Sequence, residues 1–88
     1  MYFVYMIKNL YGNLYIGVTN NPERRLDEHN SKRGSDFSKN RGDFKIVFLE
    51  KHDTLAEARK REIQIKKWRR EKKEMLIDKY NKGLPTKI

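Results

Sequence analysis

The chain's pattern predicts an α+β fold, a small antiparallel or mixed sheet packed against helices. Three observations carry this expectation. Two strand-like segments stand side by side at the N-terminus with only a turn between them. A helical segment separates them from a third strand, and two further helical segments follow it. The resulting order, β-β-α-β-α-α, leaves no helix between the first two strands, which excludes a doubly wound parallel sheet. With 88 residues, 36% of them hydrophobic, the chain can fill one modest core, so a second domain is excluded.

Each element has its own reason. Tyr2 to Lys8 alternates aromatic and aliphatic residues, Asn9-Leu10-Tyr11-Gly12-Asn13 supplies turn chemistry, and Leu14 to Val18 reads as the partner strand of a hairpin. Alternation puts Phe3, Tyr5 and Ile7 on one face of the first strand, and Tyr15 and Gly17 on one face of the second. A hairpin pairing Ile7 with Tyr15 would set Tyr5 opposite Gly17 and diagonal to Tyr15. Asn20 and Asn21 as caps, Pro22 in the first turn and Glu23 near the positive end of the dipole predict a helix from Pro22 to Asn30. Ser31 to Asp43 is polar, glycine-containing and without period, hence a loop. Phe44 to Glu50 reads as a third strand. The capping box Thr54-x-x-Glu57 starts a helix expected to reach Trp68, and Met75, Leu76 and Tyr80 lie at helical spacing in a last helix over 70–80. Gly83 and Pro85 end it, so 1–82 is expected as the domain and 83–88 as a C-terminal tail.

Charge narrows the choice of partner. Lys and Arg number 21 against 12 Asp and Glu, a net charge of +9. From Arg59 to Lys73 there are nine basic residues (59, 60, 61, 66, 67, 69, 70, 72 and 73) against Glu62 and Glu71, so this stretch carries seven of the nine net charges. Such a field suits a polyanion. Without cysteine there is no disulfide framework, thiolate metal site or cysteine nucleophile. The apolar run Met1 to Ile7 is far short of a membrane span, and with no basic region before it or cleavage site after it, it predicts no signal peptide and a cytoplasmic protein.

Several residues carry candidate chemistry. Leu55, Ala58 and Ile65 mark the apolar stripe of the second helix, and Glu62 projects inside it. A carboxylate leaning toward a core must be protonated, hydrogen-bonded or paired with a cation, either a basic side chain or a metal. Arg25 and His29, four residues apart, share a helix face, where a guanidinium can grip a phosphate and an imidazole can move protons. Trp68 flanks the apolar stripe and is expected in the core, although its place beside the basic cluster also suits stacking on a base. His52, beside Asp53 at a strand end, is expected to be structural or exposed.

The ordered set Phe3-Val4-Tyr5, Tyr15-Ile16-Gly17, Arg25 and His29 on a helix, and Glu62 on a later helix resembles the GIY-YIG nuclease superfamily. The stretches Tyr15 to Thr19, Glu23 to Asn30 and Arg61 to Lys67 are similar to its small stand-alone bacterial, YhbQ-like members. Phe3 stands where the first motif has glycine, and Val18 where excision-repair relatives often carry lysine. The resemblance implies a three-stranded antiparallel sheet flanked by helices. It also implies metal-dependent hydrolysis of nucleic-acid phosphodiester bonds, with DNA the expected substrate in repair or recombination. Tyr5, Tyr15, Arg25, His29 and Glu62 take the catalytic positions, Gly17 a motif position, and Glu62 the role of ligand to Mg²⁺ or Mn²⁺. Arg24, Arg59, Lys66, Lys67, Arg69 and Arg70 are the expected nucleic-acid contacts of a monomer that does not bind membranes. The competing expectation is a non-catalytic nucleic-acid-binding module on the same fold.

Overall fold

A computed structural model describes residues 1–31 and 44–88. The expected loop over 31–43 therefore lies outside the described residues but for Ser31. Strands β1 (Tyr2–Lys8), β2 (Leu14–Thr19) and β3 (Lys45–His52) form one sheet in the order β2-β1-β3. Both pairings are antiparallel. The helices are α1 (Pro22–Asn30), α2 (Leu55–Lys66) and α3 (Arg70–Asn81), in the expected order. The mixed-sheet alternative is thus removed, and α2 ends two residues before the expected Trp68.

Local chemistry explains the joints. The Asn21 side chain accepts from the Arg24 N–H at 3.1 Å and Pro22 occupies the first turn, so α1 starts directly after β2. Thr54 caps α2 by accepting from the Glu57 N–H at 3.2 Å. In the hairpin turn Gly12 takes a φ of +82°, a left-handed conformation that costs glycine little.

The main core lies where Val4, Met6, Ile16 and Phe48 of the sheet meet Ala58 and Ile65 of α2 and Leu76 and Ile77 of α3. Two expectations change here. Leu55 is 40% exposed, because at the first position of α2 it lines a groove toward α1 and does not join the core. In α3 the inward pair is Leu76 and Ile77, while Met75 is exposed and Tyr80 packs edge-on against Phe48 with ring centroids 5.7 Å apart. Trp68 is a partly buried neighbour of the core, with the Lys72 ammonium 4.3 Å and the Arg61 guanidinium 5.4 Å from its ring centroid.

A polar hub fastens β3 to α2 and the chain end. The Glu50 Oε1 atom receives Arg61 Nε and lies beside His52 Nε2, both at 2.9 Å, and Arg61 also donates to the Thr86 and Ile88 carbonyls. Ile88 packs against the core, so residues 83–88 run back onto the domain. Among the described residues no helix is long and apolar enough to cross a membrane.

Candidate active site

The hairpin register is Ile7 opposite Tyr15 and Tyr5 opposite Gly17. Tyr5 is only 2% exposed, and its ring lies over the glycine. A Cβ at position 17 would stand 2.7 Å from the Tyr5 Oη atom and 2.9 Å from Cζ, inside any tolerable contact. Gly17 is therefore the gap that lets one tyrosine lie flat across the neighbouring strand.

Arg25 and His29 project from one face of α1 onto that phenol. Arg25 Nε donates to Tyr5 Oη at 3.3 Å, and His29 Nε2 lies 3.3 Å from the same oxygen. The direction of the Tyr5–His29 hydrogen bond follows the imidazole tautomer: a ring protonated on Nε2 donates to the phenol oxygen, and one protonated on Nδ1 accepts from it. Tyr15 and His29 pack with centroids 4.5 Å apart, Tyr5 and Tyr15 at 6.1 Å, and Phe44 closes the far side of His29 at 5.9 Å. Asn30 pins Phe44 by accepting from its N–H at 2.8 Å and donating to its carbonyl at 3.1 Å.

Burial raises the Tyr5 ionisation above its ordinary value near 10, and outweighs the opposing hydrogen bond and charge of Arg25. Tyr5 is therefore neutral at physiological pH. Arg25 is held more firmly protonated than usual, first by the Glu28 carboxylate 2.8 Å from Nη1 and next by Tyr5.

Glu62 is 9% exposed, among the least exposed residues of α2. Its inward position follows from the helical spacing, and its charge acts on Tyr5 in the direction that raises the phenol's ionisation. Lys66 Nζ holds Oε2 at 3.0 Å, whereas Arg59 Nη1 stands 3.9 Å from Oε1, too far for a direct hydrogen bond. One carboxylate oxygen is thus committed and the other only loosely approached. Among the described residues no three His, Asp or Glu side chains gather as a metal cage.

A groove of about 430 Å³ runs beside this cluster, lined by Arg24, Arg25 and Glu28 of α1, Thr19 and Asn20, and Leu55 and Arg59 of α2. It joins the two helices that carry Arg25 and Glu62. Of the expected nucleic-acid contacts, Arg24 and Arg59 line it, and Lys66 is paired with Glu62. Lys67 caps the end of α2, Arg69 lies by Trp68 at the start of α3, and Arg70 binds Glu74 and the Gly12 carbonyl. The basic stretch therefore spreads over several surfaces and does not form one patch. The sequence reading missed Glu28, whose i,i+3 spacing from Arg25 was its signal, and Phe44, which had none.

A three-stranded antiparallel sheet with a tyrosine pair, an arginine and a histidine gathered at one glycine defines the class: a small α+β domain with a built polar site. The chain belongs to the GIY-YIG catalytic domain family, which it matches over residues 1–81. It is similar to UPF0213 proteins of Staphylococcus saprophyticus and Staphylococcus aureus, each 38% identical over 76 residues covering 86% of this chain and 93% of the relative. The solution NMR structure of a UPF0213 protein from Bacillus halodurans has the same fold, with a TM-score of 0.57, 32% identity, and coverage of 89% of this chain and 84% of that one. Nucleases of this family act on nucleic acid.

Proposed function

We propose that the protein is a metal-dependent endonuclease that hydrolyses phosphodiester bonds of nucleic acid, DNA foremost, as a cytoplasmic monomer serving repair or recombination. The observation that carries this reading is the convergence of Arg25, His29 and Tyr15 around the buried Tyr5 phenol. Family membership and the groove joining that cluster to α2 support it.

Glu62 fits a divalent ion as a single carboxylate ligand through Oε1, the oxygen that Lys66 leaves open, with water and substrate phosphate filling the remaining positions as Mg²⁺ permits. Bound there, Mg²⁺ or Mn²⁺ supplies Lewis-acid stabilisation of charge on the phosphoryl oxygens. The chain's own residues do the rest. Arg25 grips the phosphate as it exchanges Glu28 for a phosphoryl oxygen, and offsets the charge that develops there. Tyr5, kept neutral by burial, holds Arg25 and His29 in register. In the tautomer whose Nε2–H donates to Tyr5, His29 accepts the proton of the attacking water at Nδ1, since an imidazole exchanges protons near neutrality and an ordinary phenol does not. Tyr15, packed on the imidazole, orients it and borders the water's approach.

The Lys66–Glu62 ion pair favours a second reading, a binding module in which the carboxylate only anchors a lysine. Nicking of supercoiled plasmid separates the two. Wild type should nick with Mg²⁺ or Mn²⁺, and Glu62→Gln should abolish nicking while DNA affinity stays within about twofold. Absence of wild-type nicking with either metal across a range of pH overturns the hydrolytic reading.

A further inference from the structure

We propose that the tip of the β1–β2 hairpin, Leu10 and Tyr11, is a nucleobase-stacking contact that takes an unpaired base of the substrate close to the bond being cut. This rests on the nucleic-acid reading above and adds to it a surface and a feature of the substrate. Leu10 is 75% exposed and Tyr11 66%, two large apolar side chains side by side at a turn. Single exposed apolar residues need no explanation, but a held, adjacent pair does.

The turn that presents them is fixed. Asn9, itself buried, accepts from the Tyr11 and Asn13 N–H groups at 3.0 and 2.9 Å through its side chain, while its carbonyl accepts from the Gly12 N–H at 3.0 Å. From below, Arg70 donates to the Gly12 carbonyl at 2.8 Å and to Glu74, which Lys8 also reaches at 3.3 Å. The platform is thus ordered before any ligand arrives, which lowers the entropic cost of binding.

Position and charge select the occupant. Tyr11 precedes Tyr15 by four residues, at most about 13 Å of strand or roughly four stacked nucleotides. A substrate strand lying at the tyrosine cluster therefore reaches the tip within a few bases. Lys8 and Arg70 against Glu74 leave the base of the tip positive, suited to the phosphates on either side of a stacked base. Within continuous duplex each base face is covered by its stacked neighbours, whereas an unpaired base can turn its face to an aromatic ring, so the contact favours forks or loops over duplex.

The test compares a forked DNA carrying 2-aminopurine in its single-stranded arm with a blunt duplex of equal length. Binding is read in EDTA by anisotropy, and stacking by 2-aminopurine fluorescence. Wild type should prefer the fork and quench the probe. The double variant Leu10→Ser, Tyr11→Ser, with its fold checked by circular dichroism, should lose about tenfold in fork affinity and the quenching, yet bind the duplex within twofold. Tyr11→Phe should retain both signals.

Equal losses on fork and duplex, or an unquenched probe with wild type, overturn the proposal. So does a smaller sedimentation coefficient for the double variant, which would make the tip a contact between copies. Tip-dependent binding to anionic phospholipid vesicles without tip-dependent fork binding overturns it likewise. Because cleavage plays no part in these readouts, plasmid nicking without a tip effect removes this inference alone. A tip effect without nicking removes the hydrolytic reading alone.

Discussion

On one face of the sheet, Val4, Met6, Ile16 and Phe48 meet the apolar residues of α2 and α3; on the other, Tyr5 and Tyr15 meet Arg25 and His29 of α1. The same strand, β1, serves both by alternation. Where α2 and α3 bury Ala58, Glu62, Ile65, Leu76 and Ile77, α1 buries none of its residues. It is held by an asparagine cap, the Asn30–Phe44 clasp and the bonds to Tyr5. Apolar packing on one side supplies stability, so the other side can hold polar groups in reach of solvent and substrate.

Changes that separate the two faces test this division. The largest expected effect is that of Phe48→Ala, which should cost about 3–5 kcal/mol in denaturant unfolding because it empties a fully buried ring site. Activity per folded molecule should be unchanged; a loss of activity beyond the unfolded fraction would break the comparison. Arg25→Ala should do the reverse, lowering the rate of nicking about 10²–10³-fold. Its unfolding midpoint should stay near that of wild type.

Gly17→Ala sits between the faces. Its Cβ collides with Tyr5, so it should cost about 1–3 kcal/mol and displace the phenol from Arg25. Adding Tyr5→Phe removes the nearest atom but not Cζ, and should recover part of the stability and none of the activity.

The site face also carries an alkaline signature. With its native ionisation raised above 10, Tyr5 contributes stability that is whole below about pH 10 and is lost as the pH climbs through the native value. Tyr5→Phe should flatten that limb of the stability profile. The smallest effect belongs to Glu74, held below the usual carboxylate range chiefly by Arg70. Its contribution is present above about pH 4.3 and fades as pH falls through its lower native value. Since Glu74 is over one-third exposed, Glu74→Gln should cost under about 1 kcal/mol at neutral pH and nothing in acid.

Much of the site was legible before the structure. Period-two alternation put Tyr5 on one face of its strand and Tyr15 and Gly17 on one face of theirs, and helical spacing turned Glu62 inward and aligned Arg25 with His29, because each follows from the geometry of one element; the pairing of Ile7 with Tyr15 that sets Tyr5 opposite Gly17 is read from the structure. Leu55 and Met75 misled for the opposite reason. Helical spacing defines a stripe, but its ends serve the core only if the partner surface extends that far. At α2 the first turn lies against the groove to α1, and in α3 the stripe is turned so that Ile77 points inward in place of Met75.

By itself the sequence determined the element order, the caps, the excess of positive charge and the residue types available for phosphodiester chemistry, since all of these are local or additive. Only the tertiary structure decided that Phe44 closes the site and that Arg61 ties Glu50 to the chain end. It also decided that Glu28 occupies Arg25, that Arg70 braces the hairpin tip, and that the basic stretch is divided among several surfaces. These contacts join residues from different elements or choose among competing local partners. Which pair forms depends on how the helices settle on the sheet, a collective outcome of packing that no single segment encodes.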